Sequence, residues 1–247
     1  MMSPVIGMVN QRKDVGTTTL TLAMASELAE RGHSVLIVDN DPQADLTESL
    51  TDVVGEEANT SLLYEGRNVQ PQMISNGLFL MGADIGLSMA EERSYEAIFD
   101  FKNELSTLKY DFDFILIDCP PSLGVMTRAA CIAADFILTV SRSTRNDPRG
   151  IEYLLQWIMS ICKHFNSGLQ HLGMIMNCFD GPRECSGEAS QKLARRYPSH
   201  IFNTVLDNLF LDQADIAVEQ RIGTRRPQLN TTIRFLSDEI LARLPAR

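Results

Sequence analysis

The sequence predicts an α/β fold: one doubly wound, mostly parallel sheet with helices on both faces. Three observations predict it. Six short apolar, β-rich runs recur along the chain, and stretches of helical periodicity lie between them. The 247 residues, 44% hydrophobic and 22% charged, supply a sizeable core. No repeat, low-complexity tract or Pro/Ser-rich linker divides them, so the expectation is a single domain over residues 1–247.

In chain order, the apolar runs at 4–9, 35–39, 78–81, 114–118, 136–140 and 172–178 read as buried strands. Helical patterns fall at 18–31, 94–108, 124–134, 147–165 and 186–197, and a last one at 231–243 closes the chain. Continuously apolar strands alternating with helices imply a sheet covered on both faces, with ligands at the carboxyl ends of the strands.

Several classes are excluded or disfavoured. No apolar run approaches the roughly 20 residues that cross a bilayer. The opening MMSPVIGMVN has neither the basic nor the long apolar region of a cleaved signal, so a cytoplasmic protein is expected. Five cysteines with no CxxC spacing read as reduced thiols, and four scattered histidines as ordinary surface or core residues. The net charge of −10 disfavours polyanions in general, but residues 181–247 carry 10 basic against 8 acidic groups, so only this quarter could favour a phosphate backbone.

The segment NQRKDVGTTT (10–19) joins the first strand to the first long helix, where a phosphate-binding loop would sit. Such a loop needs glycines so that successive amides wrap a phosphate, a lysine for the β and γ oxygens, and a Ser or Thr for magnesium. Gly16, Thr18 and Thr19 remain of that set.

This loop resembles that of the ParA/MinD superfamily, in particular the ParA (Soj-like) branch, whose pattern is NQKGGVGKTT. Asn10, Gln11, Val15, Gly16, Thr18 and Thr19 agree with it. Arg12 stands for the signature lysine that crosses the dimer interface in that family. Lys13 and Asp14 replace two glycines, and Thr17 replaces the cis lysine. The resemblance continues in VDNDPQADLTESL (38–50), similar to VDxDPQxNxT, in the Walker B-like FDFILIDCPPSLGVMTRAA (112–130), and more weakly through GMIMNCFD (173–180) and IFNTVLDN (201–208) to the terminal helix.

The resemblance implies a deviant P-loop fold acting in segregation or positioning of DNA or another large cargo. It implies ATP and Mg²⁺ as cofactors, a homodimer, and a ParB-like partner. Gln11, Arg12, Lys13, Gly16, Thr17, Thr18 and Thr19 would contact nucleotide. Thr18 would ligate Mg²⁺, Asp118 would support it through water, and Asp41 would orient the attacking water. Asn177 matches a position near the adenine edge, although an Asn at a strand end is as often structural. Arg195, Arg196, Arg221, Arg225, Arg226 and Arg234 are candidates for sequence-independent DNA contacts, or a solvated basic face.

The loop substitutions remove positive charge and backbone freedom where a triphosphate would bind. The expectation is therefore a nucleotide-responsive dimer with weakened or lost hydrolysis. The alternative is a non-catalytic regulatory module on the same fold, and a smaller one is a MinD-like protein that docks its terminal helix on membranes.

Overall fold

The computed structural model describes residues 2–92, 95–142, 148–177, 195–197, 200–206 and 227–245. In chain order the elements are β1 (Val5–Val9), α1 (Thr17–Glu30), β2 (Val35–Asp39), α2 (Asp45–Leu50), β3 (Gln72–Ser75), β4 (Leu78–Met81), α3 (Glu96–Leu108), β5 (Phe114–Asp118), α4 (Val125–Ala133), β6 (Phe136–Arg142), α5 (Pro148–His164), β7 (Gln170–Asn177) and α6 (Pro227–Arg243). Three 3-10 segments occupy the connections around α2 and α3.

The strands form one sheet in the order β3-β4-β2-β5-β1-β6-β7, parallel except for the β3–β4 pair. β1, β2 and β5 are buried at every position, which is why their sequences run apolar without alternation. Because β1 sits between β5 and β6 rather than beside β2, the chain leaves it in opposite senses and a crevice opens at the carboxyl ends.

Two cores flank the sheet. On one face Leu36, Val38, Ile115 and Ile117 meet Phe101 of α3, Ala130 of α4 and Ile158 of α5. On the other, Ile6, Met8 and Ile37 meet Leu20 and Met24 of α1 and Leu236 of α6.

All six expected strands are present, and β6 runs on to Arg142. The antiparallel β3 was not anticipated. It is an edge strand of half-exposed residues with a bulge between Met73 and Ser75, and it lacks the apolar run that marks the others. The Asn76-Gly77 pair behind it, with Gly77 at φ 79°, is the local signal of the hairpin. Of the helix expected at 186–197, all but 195–197 lies outside the described residues.

The terminal helix begins at Pro227, a residue suited to the first helical position. Ile233, Leu236 and Ile240 are buried in the core. Arg31, the C-cap of α1, holds α6 through Asp238 at 2.5 Å and the carbonyl of Arg234 at 3.1 Å. The apolar stripe that suggested membrane docking is thus engaged in packing against α1. No helix among the described residues is long and apolar enough to cross a membrane.

Candidate functional site

The loop between β1 and α1 is braced from the sheet side by three polar side chains. Asn10 donates its amide nitrogen to the carbonyl of Val140 at 2.7 Å, and its oxygen accepts the amides of Gln11 and Arg12 at 2.6 and 3.1 Å. Asn177, at the end of β7, donates to the carbonyl of Val15 at 2.8 Å. Arg142, at the end of β6, reaches the carbonyl of Asp14 at 3.4 Å. These contacts tie the loop to the ends of β6 and β7.

Asp14 adopts φ 60° and Gly16 φ 92°. Left-handed backbone costs an L-residue roughly 1–2 kcal/mol, and Asp is among the residues that bear it best. The replacement of glycine at 14 has therefore left the conformation in place and added strain. Gly16 has no such latitude, because a Cβ there would stand 2.6 Å from the Asn177 amide nitrogen.

Helix α1 starts at Thr17 with no side-chain cap and no acidic residue in its first turn. Its first amides therefore have no side-chain acceptor at the cap, and they face an anion-favouring dipole end. Thr17 is itself buried, 9% exposed, where the resembled pattern has its cis lysine.

The acidic half lies across the crevice. Asp39 and Asp118 are register partners at the ends of β2 and β5, and both are buried. Asp118 accepts a hydrogen bond from Thr21 at 3.2 Å, and Thr18 lies near enough to favour its ionised form. Burial first, then the neighbouring charge of Asp39, pushes its carboxyl well above the ordinary range. Asp39 accepts the Thr47 hydroxyl at 2.6 Å, the Thr47 amide at 3.0 Å and the Asp41 amide at 3.1 Å. Burial still raises it to about 6. By anchoring the turn and the first turn of α2, Asp39 fits the reading of a cap or turn residue.

Asp41 is half-buried, and its oxygen accepts the Gln43 amide at 2.9 Å. Burial raises its carboxyl, while the charge of Lys13 acts in the opposite direction. Among the described residues no cation forms an ion pair with Asp39, Asp41 or Asp118.

The residues fit magnesium and a polyphosphate in part. The hydroxyl of Thr18 and the buried carboxyl of Asp118 converge, and hard oxygen donors of this kind suit Mg²⁺, which takes one or two protein ligands with phosphates and water. Among the described residues no group of three or more His, Cys, Asp or Glu side chains is arranged for a metal. The braced loop and bare helix end suit phosphate; position 17 supplies no charge.

The sequence reading placed Gln11, Arg12, Lys13, Gly16 and Thr17–Thr19 on the loop or the start of α1, where they lie. It gave Asn177 as either near an adenine edge or structural; the residue is buried and its amide nitrogen donates to the loop. Thr21, Thr47, Asn10 and Arg142 were missed as contributors. Thr21 follows Thr18 at helical spacing, which is the one local clue to it.

The candidate DNA arginines do not form one patch among the described residues. Arg195 and Arg196 are exposed, and Arg196 pairs with Glu152 of α5. Arg234 pairs with Glu27 of α1 at 3.4 Å. α5 and α1 cover opposite faces of the sheet. Arg221, Arg225 and Arg226 lie outside the described residues.

The chain is similar to the sporulation initiation inhibitor protein Soj of Bacillus subtilis (strain 168), 27% identical over 226 residues covering 86% of this chain and 88% of that protein. It is 28% identical to the chromosome-partitioning ATPase Soj of Treponema pallidum (strain Nichols), covering 83% and 84%. Its fold matches cobyrinic acid a,c-diamide synthase from Mycobacterium smegmatis with bound ATP analog and magnesium, at a TM-score of 0.76 and 27% identity over 89% of this chain and 92% of the other. A family model described as an AAA domain, AAA_31, matches residues 3–171, and by that match the chain belongs to this family, within the ParA/MinD superfamily.

Proposed function

We propose that this is a ParA-type protein for segregating or positioning DNA or another large cargo, a nucleotide-responsive homodimer in which ATP is held while its hydrolysis is weakened or lost. One observation carries the reading: Thr18 and Asp118 converge under a loop that keeps its shape, while a buried threonine stands where the cis cation belongs. The chromosome-partitioning name of its relative and the nucleotide in the structural neighbour support the cargo and cofactor classes.

In this reading the amides of 12–18 and the side chains of Gln11, Arg12 and Thr19 hold the phosphates. Thr18 would ligate Mg²⁺ and Asp118 would support it through water, and the ion would supply positive charge to neutralise that developing on the phosphates. Asp41 orients the attacking water. Charge stabilisation dominates phosphoryl transfer, and a single cation aimed at the transition state is worth about 10³- to 10⁵-fold in turnover. Thr17 cannot supply it, and the charge of Lys13 bears on Asp41, offsetting part of the negative charge of the residue that would orient water.

DNA would contact Arg195, Arg196, Arg221, Arg225, Arg226 and Arg234, contributed by two copies of the chain, and a ParB-like protein would control the cycle. Light scattering with and without Mg-ATP, beside DNA titrations across a salt series, tests this. The expected outcome is a shift from monomer to dimer with Mg-ATP, and DNA affinity whose logarithm falls linearly with the logarithm of salt, at a slope of about −0.9 per neutralised phosphate. Absence of DNA binding at low salt in every nucleotide state would remove the segregation reading. The second reading, a non-catalytic regulatory module, is favoured by Lys13, Asp14 and Thr17.

A further inference from the structure

The register of the sheet brings a cation to the loop that the phosphate-loop pattern does not contain. Arg142, the last residue of β6, is the ladder partner of Asn177, whose amide braces the loop one residue from where Arg142 touches it. Arg12 approaches from the loop side. One of its guanidinium nitrogens lies 3.8 Å from the point a Cβ on Gly150 would occupy, in the first turn of α5.

Between them is a small cavity of about 30 Å³. By the same measure one water needs roughly 10–15 Å³, so the space is that of a single tetrahedral anion rather than of a nucleoside. Arg12 and Arg142 wall it together with Asn10, Gln11 and Ser141. Among the described residues that wall it there is no carboxylate, although the chain carries a net charge of −10.

We infer that this pocket is an anion subsite, in which the guanidinium groups of Arg12 and Arg142 hold one phosphate group on the α5 side of the loop. Guanidinium forks match phosphate oxygens bidentately, and a charged oxygen is a stronger acceptor than the Asp14 carbonyl that Arg142 reaches at 3.4 Å. The subsite supplies positive charge at the loop that Thr17 does not, and it rests on the proposed reading in that ATP is one source of the phosphate. Free phosphate is the other.

The experiment is calorimetry on the full chain with ATP, tripolyphosphate and inorganic phosphate, comparing the wild type with Arg142→Ala, Arg142→Lys and Gly150→Gln. The last fills the cavity and leaves the Arg142 contact to the loop intact, which separates occupation of the pocket from bracing. Thermal melts establish that each variant is folded.

Arg142→Ala and Gly150→Gln are expected to weaken ATP and tripolyphosphate by about 10- to 100-fold, the size of one or two charge-assisted hydrogen bonds, with Arg142→Lys intermediate. The same dependence for inorganic phosphate assigns the subsite to free phosphate; its restriction to the polyphosphates assigns it to the nucleotide. ATP affinity unchanged within twofold in both Arg142→Ala and Gly150→Gln overturns the subsite and leaves the proposed function standing. Arg142-dependent phosphate binding without ATP binding keeps the subsite and removes the nucleotide reading. A wild type that binds none of the three removes both.

Discussion

Restoring glycine at 13 and 14 and lysine at 17 in one chain is expected to raise Mg-ATP turnover by about 10³- to 10⁵-fold, the range over which a single transition-state cation acts. Thr17 opens α1 directly beyond the loop, so a lysine there can extend over the phosphates from a helix end without a side-chain cap. Lys13→Gly removes the ammonium whose charge bears on Asp41, and Asp14→Gly removes both a carboxylate from the loop rim and the strain of φ 60°. Thr17→Lys alone carries most of the gain, and the three changes combine non-additively because they share one loop. Phosphate release checks this, with Asp41→Ala added to the restored chain as the control that returns it to the wild-type rate. A restored chain no faster than wild type would mean that the loop is not what limits the chemistry.

Neutralising Asp118 is expected to stabilise the metal-free protein. Asp118 and Asp39 stand side by side at the ends of β5 and β2 with no cation paired to them among the described residues, and burial raises both carboxyls. A carboxyl raised in the folded state binds its proton more tightly there than in the unfolded chain. It therefore contributes stability at low pH that is lost as pH rises, between the ordinary 3.8 and about 6 for Asp39 and to higher pH for Asp118. His171 runs the other way. Burial lowers it from 6.5 to about 4, so its contribution is lost as pH falls through that window. Comparing Asp118→Asn with wild type cancels the histidine. The variant is expected to gain about 2 kcal/mol or more at pH 7.5, roughly 4–8 °C in Tm for a chain of this size, and less at pH 5. Saturating Mg-ATP is expected to reverse the ranking, because it stabilises the wild type by mass action. Thermal melts over pH with and without Mg-ATP check both signs, and a gain that shrinks as pH rises would contradict the account.

The strands that build the site were legible because parallel strands buried on both faces carry unbroken apolar runs, as Phe114–Asp118 does. The same runs placed Asp39 and Asp118 at the carboxyl ends. β3 escaped because a half-exposed edge strand has no such run, and its Asn76-Gly77 turn was the cue to look for. The loop's departures from the resembled pattern were legible as losses of charge and of glycine. Its retained shape was not legible, since it depends on Asn10 meeting Val140, Arg142 meeting Asp14 and Asn177 meeting Val15. Each of these contacts joins residues more than 120 positions apart and follows only from strand order and register. The helical spacing of Ile233, Leu236 and Ile240 made the terminal helix legible, and all three are buried.

The central claim is that the loop still cradles a triphosphate while lacking the cis charge that makes it react. A single-turnover experiment, with protein in excess over radiolabelled Mg-ATP, reads binding and cleavage in one sample. The account predicts that filter-retained label stays ATP, with cleavage at least about 10³-fold slower than in the chain restored at 13, 14 and 17. Label that is retained and cleaved as fast as in the restored chain, or that is never retained, would contradict it.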